Sequence, residues 1–186
     1  INLLNIYMSS KKIFWISSYP KSGNTWMRAI ISSLFFSSDG KFDFNLLDKI
    51  KYFDYHSRYK FVKKINLYDY DNLHKISSVS KYWMKAQELA DVGGDFAFFK
   101  THSANLIINN YNYTNEQTTR GFIYLIRDPR DVAVSWSQHQ GFDLDMAIDF
   151  MTNQQSISRT SNSSKDIPIN LLRWDQHYKS WKVYSL

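Results

Sequence analysis

The chain has 186 residues, enough for one domain with a hydrophobic core. A hydrophobic share of 44% with 17% aromatic residues excludes a disordered chain, and zero cysteines exclude disulfides, thiolate metal sites and cysteine nucleophiles. The formal net charge of +6 indicates either a solubilising surface charge or an attraction to polyanionic ligands, a class that includes nucleic acids, nucleotide phosphates and sulfates.

The amino-terminal residues predict neither a membrane span nor a signal peptide. The stretch INLLNIYM (1–8) is shorter than the roughly 18–20 apolar residues that cross a bilayer, and it has no basic start and no small-residue cleavage site. We therefore expect a soluble, cytoplasmic protein. Because Met8 directly precedes SSKKIFWISSYP, we expect a natural start there, a single domain over 8–186 and an upstream extension over 1–7.

The first predicted unit is a strand, a short loop and a helix. The apolar run KKIFWISSYP (11–20) predicts a buried strand. The loop PKSGN follows, and TWMRAIISSLFF (25–36) has apolar residues at helical spacing. This arrangement directs backbone N–H groups and a helix N-terminus toward an anion.

The middle of the chain predicts helices and then two more strands. Residues 41–92 are rich in Tyr, Phe, Lys and Asp and predict two or three helices, of which KYWMKAQELA (81–90) is the clearest. Buried strands are predicted at DFAFFKTH (95–102) and GFIYLIRD (121–128).

The last third of the chain predicts helices with one polar interruption. DPRDVAVSWSQHQG (128–141) begins with Asp and Pro, which favour a helix start, and DLDMAIDFM (143–151) predicts a second helix. The polar segment 153–166 predicts a mobile loop, and LLRWDQHYKSWKVYSL (171–186) again has a helical pattern.

Strands that alternate with helices predict an α/β fold with a mainly parallel sheet. Ligands of such folds bind at the carboxyl ends of the strands. Three polar segments follow the predicted strands, after Tyr19, after Phe99 and after Ile126. We therefore expect these segments to form one site at one edge of the sheet.

The first segment, PKSGNTW, offers an ammonium group, two hydroxyls, an amide and backbone N–H groups, which together suit a tetrahedral oxyanion. Its lysine, Lys21, precedes the only glycine, Gly23, whereas a Walker A loop has its lysine after the second glycine. The alternative is an ordinary strand–helix turn with a solvated lysine.

The second segment, FFKTHSAN, places His102 directly after a strand and Lys100 two residues earlier, where both side chains point the same way. The histidine can accept a proton, and the lysine can stabilise negative charge. The alternative is a histidine whose hydrogen-bonding capacity is satisfied by a backbone carbonyl.

The third segment, YLIRDPRDVAVSWS, has Arg127 at a strand end and Ser135 two turns into the next helix, so that both can bind one phosphate. The alternative is that Arg127 pairs with Asp128 or Asp131. Arg130 is interpreted as a solvated residue of the helix start.

Together and in this order, the segments resemble the sulfotransferase family, which transfers a sulfuryl group from 3′-phosphoadenosine-5′-phosphosulfate (PAPS). YPKSGNTW is similar to the family's 5′-phosphosulfate loop, FFKTH to the segment with its catalytic histidine, and IRDPRDVAVS to its 3′-phosphate motif. WDQHYKSW is similar to its W-x-x-H-x-x-x-W helix. The resemblance covers about residues 11–36, 95–139 and 171–182, and the SGNTW and RDPRD forms resemble bacterial members more than animal cytosolic enzymes.

The resemblance implies a P-loop-like, three-layer α/β fold, PAPS as co-substrate, PAP (3′,5′-adenosine bisphosphate) as product and no metal. Lys21 would contact the oxygen that bridges sulfur and phosphorus, and Trp26 would stack on the adenine. Arg127 and Ser135 would bind the 3′-phosphate. The 5′-phosphate would be held by the loop residues Ser22, Gly23, Asn24 and Thr25.

The implied reaction is an in-line displacement at sulfur, with His102 as the base that removes the acceptor proton. Lys21 would stabilise charge on the departing phosphate, and Lys100 would stabilise the sulfuryl oxygens. We expect a small-molecule acceptor with a hydroxyl (or amine) group, and neither nucleic acid nor membrane as a partner. The sequence indicates neither the identity of the acceptor nor the oligomeric state.

The chain departs from the family pattern at its end. Members usually continue with a Tyr-Glu-Asp-like strand and a basic R-K-G loop, and this chain ends at Leu186 with neither, so we expect a C-terminally truncated member with doubtful activity in this form. Two other functions stay open. One is a non-catalytic PAP- or nucleotide-binding module. The other is a P-loop kinase of small molecules, which would need a Walker lysine and carboxylates for magnesium.

Overall fold

The computed structural model describes residues 12–141, 143–153, 157–158 and 167–182. Its centre is a four-stranded parallel sheet in the order β2-β3-β1-β6. These strands are β1 (Ile13–Ser18), β2 (Lys51–Tyr52), β3 (Ala97–Thr101) and β6 (Thr119–Leu125). Two antiparallel pairs accompany the sheet: β4 (Ile107–Ile108) with β5 (Tyr111–Asn112), and β7 (Ile157–Ser158) with β8 (Ile169–Asn170). The predicted α/β fold with a mainly parallel sheet is confirmed.

Strand β1 lies between β3 and β6, and both of its faces are covered. Ile13 and Trp15 face one layer, which contains Trp181, whereas Phe14 and Ile16 pack in the other layer. A strand buried on both faces reads as a continuous apolar run, which is why the sequence predicts it so clearly.

Helix α1 (Asn24–Phe36) follows β1 after a loop of five residues and covers one face of the sheet with Met27 and Ile31. The turn requires left-handed backbone at two positions, Lys21 with φ 66° and Gly23 with φ 95°. Glycine adopts this conformation without strain, whereas lysine does so at a cost in energy. The predicted strand–loop–helix unit is confirmed.

The prediction of two or three helices over 41–92 is wrong. The segment contains the edge strand β2, α2 (Val62–Ile65), α3 (Leu67–Asp71), α4 (Ile76–Val79) and α5 (Trp83–Glu88), and 3₁₀ turns at Phe44–Lys49, His56–Tyr59 and Ser80–Tyr82. Side chains of Asp43 and Asn66 accept hydrogen bonds from the backbone two and three residues further on, and such bonds compete with longer helices. The helix predicted over 81–90 is shortened to α5, and its Trp83 joins the core.

The helices of the last third lie close to their predicted positions. They are α6 (Pro129–Gln140), α7 (Leu144–Thr152) and α8 (Trp174–Lys182). Asp128 caps α6 by accepting from the Arg130 N–H at 2.9 Å, and Gly141 ends it with φ 70°. The helical pattern expected from residue 171 begins only at Trp174, because Leu172 has left-handed backbone with φ 56°.

Some predictions concern residues that the structure does not describe. The extension expected over 1–7 lies outside the described residues, and so does most of the loop expected over 153–166. Within that loop, Ile157–Ser158 forms β7, so this part is a strand. Within the described ranges, no helix combines the length and the apolar character that crossing a membrane requires.

Candidate active site

The carboxyl ends of β1, β3 and β6 meet at one edge of the sheet and open into a cavity of about 1040 Å³. All the predicted site residues except Ser22 line this cavity: Lys21, Gly23, Asn24, Thr25, Trp26, Lys100, His102, Arg127 and Ser135. Three segments that are separate in the sequence therefore converge, as the rule for parallel sheets predicts.

The loop after β1 presents backbone groups to the cavity. The first hydrogen bond of α1 runs from the Met27 N–H to the Gly23 carbonyl at 3.1 Å, so the N–H groups of Asn24, Thr25 and Trp26 have no acceptor within the helix. These N–H groups and the positive end of the helix dipole favour an anion at this point. The Lys21 carbonyl accepts from Arg127 Nη1 at 3.0 Å, which links this loop to the third segment.

Two loop side chains turn into the protein. Asn24 Nδ2 donates to the Ile16 carbonyl at 3.1 Å and to Ser18 Oγ at 3.2 Å, so its amide is engaged by β1. Ser22 is buried, and its hydroxyl has no hydrogen-bond partner among the described residues. At Asn24 the backbone N–H, rather than the side chain, is therefore available to an anion, whereas the Ser22 N–H donates to the Tyr19 carbonyl at 3.3 Å.

His102 presents one ring nitrogen to the protein and the other to the cavity. Its Nδ1 lies 2.8 Å from the Ser18 carbonyl, which can only accept, so the proton resides on Nδ1 and Nε2 keeps its lone pair. No described residue hydrogen-bonds Nε2. Burial, followed by the charge of Lys100, lowers the pKa of His102 to about 3, so the ring is neutral. The alternative, a histidine whose hydrogen-bonding capacity is satisfied by a backbone carbonyl, therefore applies to Nδ1, whereas Nε2 is free to accept a proton.

Helix α8 supports His102 from behind. His177 is fully buried, its Nε2 donates to the His102 carbonyl at 2.9 Å, and its Nδ1 accepts from the Tyr124 hydroxyl at 2.7 Å. Trp181 Nε1 donates to the Ser103 carbonyl at 3.0 Å. The WDQHYKSW segment therefore fixes the backbone at His102 and Ser103 through hydrogen bonds, a role that the sequence alone did not indicate.

Lys100 lies beside His102 in a cationic environment. Its Nζ is 5.3 Å from the centre of the Tyr52 ring. Burial first, and then the charges of Arg28 and Lys21, lower the pKa of Lys100 to about 8, although Asp54 acts in the opposite sense. Proximity to other cations makes an anionic ligand favourable at this point.

Two arginines that line the cavity were not predicted, Arg28 and Arg58. Arg28 is four residues after Asn24 on α1, and this spacing, which places both on one face of a helix, was the signal that could have found it. Arg58 belongs to the 3₁₀ turn at His56–Tyr59, in a region that carries no recognisable motif.

Arg127 is only weakly paired with a carboxylate. Its Nε lies 3.8 Å from Asp131, and both side chains are exposed, so this ion pair contributes little. Asp128 is instead bound by Arg130, whose Nη2 donates to it at 2.6 Å, and this lowers the pKa of Asp128 to about 2. Arg130 is thus a paired residue of the helix start, and Arg127 remains available to a stronger anion.

A model of the sulfotransferase domain family matches residues 11–185. The chain belongs to this family. It is similar to a luciferin sulfotransferase of Photinus pyralis, with 30% identity over 130 residues, which are 67% of this chain and 32% of the relative. The match thus spans about a third of the length of that curated relative.

Proposed function

We propose that the chain binds PAPS in this cavity and transfers its sulfuryl group to the hydroxyl (or amine) of a small-molecule acceptor. The observation that carries the proposal is the convergence of Lys21, His102 and Arg127, which are far apart in the sequence, on one cavity. Membership in the sulfotransferase domain family supports the same reaction class.

The donor would extend from the loop after β1 to the start of α6. Its 5′-phosphate would accept hydrogen bonds from the free N–H groups of α1, and its 3′-phosphate would bind Arg127 and Ser135. Trp26, which is 78% exposed at the cavity edge, offers an open ring face for the adenine. The 3′-phosphate is the group that distinguishes PAPS from ATP.

In the proposed reaction, the acceptor hydroxyl gives its proton to His102 Nε2 while its oxygen attacks sulfur. The bond between sulfur and the bridging oxygen breaks, and the electron pair leaves with the 5′-phosphate of PAP. Lys21 stabilises the charge on that phosphate, and Lys100 stabilises the sulfuryl oxygens. The low pKa of His102 keeps Nε2 unprotonated before the donor binds, and the charge of the donor then raises this pKa and strengthens the base.

Calorimetric titration with PAP and ADP, followed by a transfer assay with labelled PAPS and a panel of phenols, tests the proposal. We expect PAP to bind at least ten times more tightly than ADP, since one phosphate in a fork of charged donors is worth about 1.5–3 kcal/mol. Transfer of the label to a phenol would support the proposed sulfotransferase reaction. PAP binding without transfer would instead identify a nucleotide-binding module, and a preference for ATP with magnesium would identify a kinase.

A further inference from the structure

The cavity has a second wall, formed by residues to which the proposed function assigns no contact with the donor. It comes from α1, β2 and the two 3₁₀ turns around β2, and its charged and aromatic members are Arg28, Asp48, Lys51, Tyr52, Tyr55 and Arg58. The sequence showed no motif here, so the chemistry of this wall follows from the tertiary structure.

Arg28 is a half-buried cation with unused hydrogen-bonding capacity. Its Nη2 donates to the Leu47 carbonyl at 2.7 Å, whereas its buried Nε has no partner among the described residues. Arg28 lines the same cavity as the proposed base, His102. Because a half-buried cation that forms no ion pair is costly, this site favours an incoming anion.

Arg58 is held in place by neutral groups. Its guanidinium carbon lies 4.5 Å from the centre of the Phe53 ring and 4.6 Å from that of Phe99, and its Nε donates to the Phe53 carbonyl at 3.1 Å. Neither nitrogen of its terminal fork hydrogen-bonds a described residue. A fixed fork with free donors is suited to bidentate binding of an oxyanion.

The wall keeps an excess of positive charge. Three cations, Arg28, Lys51 and Arg58, face a single carboxylate of the cavity, Asp48, and among the described residues none of the three forms an ion pair. Asp54 lies buried behind the wall, where its carboxylate accepts from Thr101 at 2.8 Å and from Tyr113 at 3.1 Å. Asp54 attracts Arg58 from behind the wall, and because Asp54 is buried, the surface of the wall is left to the cations.

Aromatic rings line the cavity together with these cations and the proposed base. The rings of Tyr52 and Tyr55 meet edge to face at 5.1 Å, and the centre of the Tyr52 ring lies 6.4 Å from that of His102. A flat acceptor ring in contact with these tyrosines would place one end at His102 and the other toward the arginines.

We propose that the acceptor is an aromatic hydroxyl compound that carries an anionic group, and that Arg28 and Arg58 bind this group while Tyr52 and Tyr55 contact its ring. This inference rests on the proposed function for the hydroxyl at His102. The anionic group is an oxyanion, either a carboxylate or a phosphate.

Direct binding measurements on the whole chain, with and without saturating PAP, test this inference without requiring turnover. The probes are 4-hydroxyphenylacetate, 4-hydroxyphenyl phosphate and the neutral 4-hydroxyphenylacetamide. We expect both anions to bind at least ten times more tightly than the amide, because charge-assisted hydrogen bonds to a guanidinium are stronger than neutral ones. The ratio between the two anions assigns the preferred oxyanion.

Charge-removing variants locate the preference. Arg28→Met and Arg58→Met are each expected to reduce it about five- to tenfold. Arg120→Met is the matched control, because Arg120 also lies over a phenylalanine ring, Phe96 at 5.1 Å, but is an exposed residue of β6 outside the cavity. It should leave the preference unchanged.

Each outcome decides one of the two proposals. Equal affinity for the amide and the anions in the unmodified chain overturns the anionic acceptor, whatever the variants do, and this comparison does not depend on variant folding. A preference that all three variants reduce equally also overturns it, because general surface charge would then be the cause. A further outcome is that PAP fails to bind although the unmodified chain still prefers the anions and the two cavity variants still reduce that preference. In that case the PAPS proposal is wrong and the proposal of an anionic ligand at Arg28 and Arg58 is supported.

Discussion

Replacement of His177 by phenylalanine is expected to destabilise the chain and to do so less in acid than at neutral pH. The substitution removes two hydrogen bonds made by the buried imidazole and leaves the partly buried His102 carbonyl and Tyr124 hydroxyl without that partner. Each unsatisfied buried group costs about 1–3 kcal/mol, so we expect a loss of about 2–6 kcal/mol near pH 7.5.

The pH dependence follows from the protonation of His177. Burial lowers the pKa of His177 from its ordinary value of 6.5 to about 4. Between these values the unfolded chain binds more protons than the folded chain, so stability falls as the pH decreases from 6.5 toward 4. At about pH 5 this difference in proton binding lowers the stability of the unmodified chain by roughly 2 kcal/mol, and the phenylalanine variant, which has no imidazole, does not lose this amount. Its deficit should therefore shrink by about 2 kcal/mol between pH 7.5 and pH 5.

Urea unfolding followed by tryptophan fluorescence at both pH values measures this difference. His74→Phe, at a histidine in the turn between α3 and α4, is the control, and the pH-dependent change in the deficit should be absent from it. His177→Gln should recover part of the stability at neutral pH, since its amide can donate to the His102 carbonyl in place of Nε2. A deficit of His177→Phe that is equal at both pH values would refute the assignment of a buried neutral imidazole.

The remaining predictions concern the proposed donor site and the sheet. His102→Ala should lower turnover by roughly 10²–10⁴ with PAP affinity nearly intact, and unchanged turnover would exclude His102 as the base. Arg127→Ala should weaken PAP binding far more than binding of the analogue without a 3′-phosphate, whereas equal losses would contradict the 3′-phosphate contact. Because the pKa of Lys100 is about 8, most of its amine is unprotonated near pH 8.5, and binding of PAP should lead it to take up as much as roughly three quarters of a proton. Calorimetry in buffers of different ionisation enthalpy measures this uptake, which should be absent in Lys100→Met. Gly121→Ala should cost about 1–3 kcal/mol in urea unfolding, because a Cβ there would lie 2.5 Å from the Phe14 ring. An unchanged unfolding midpoint would show that the ring moves aside.

Helices and strands could be predicted from the sequence where their apolar patterns and their capping or terminating residues agree. β1 reads as a strand because both of its faces are buried, and α6 has Asp128 as a cap and Gly141 as a stop. Residues 41–92 could not be predicted in this way, since short helical turns there are interrupted by side-chain caps such as that of Asn66. Strand β2 has only two residues, and pairing with β3 rather than its own composition makes it a strand.

The sequence by itself determined which residues approach the site, because polar segments that follow parallel strands must meet at one edge of the sheet. Lys21, His102 and Arg127 were found for this reason. Only the tertiary structure decided what each group can do. It placed the proton of His102 on Nδ1, turned the Asn24 amide inward, and brought Arg28 and Arg58 to the second wall. Hydrogen-bond partners and neighbouring charges are properties of residues close in space, and residues 28, 58 and 102 become neighbours only when the chain folds.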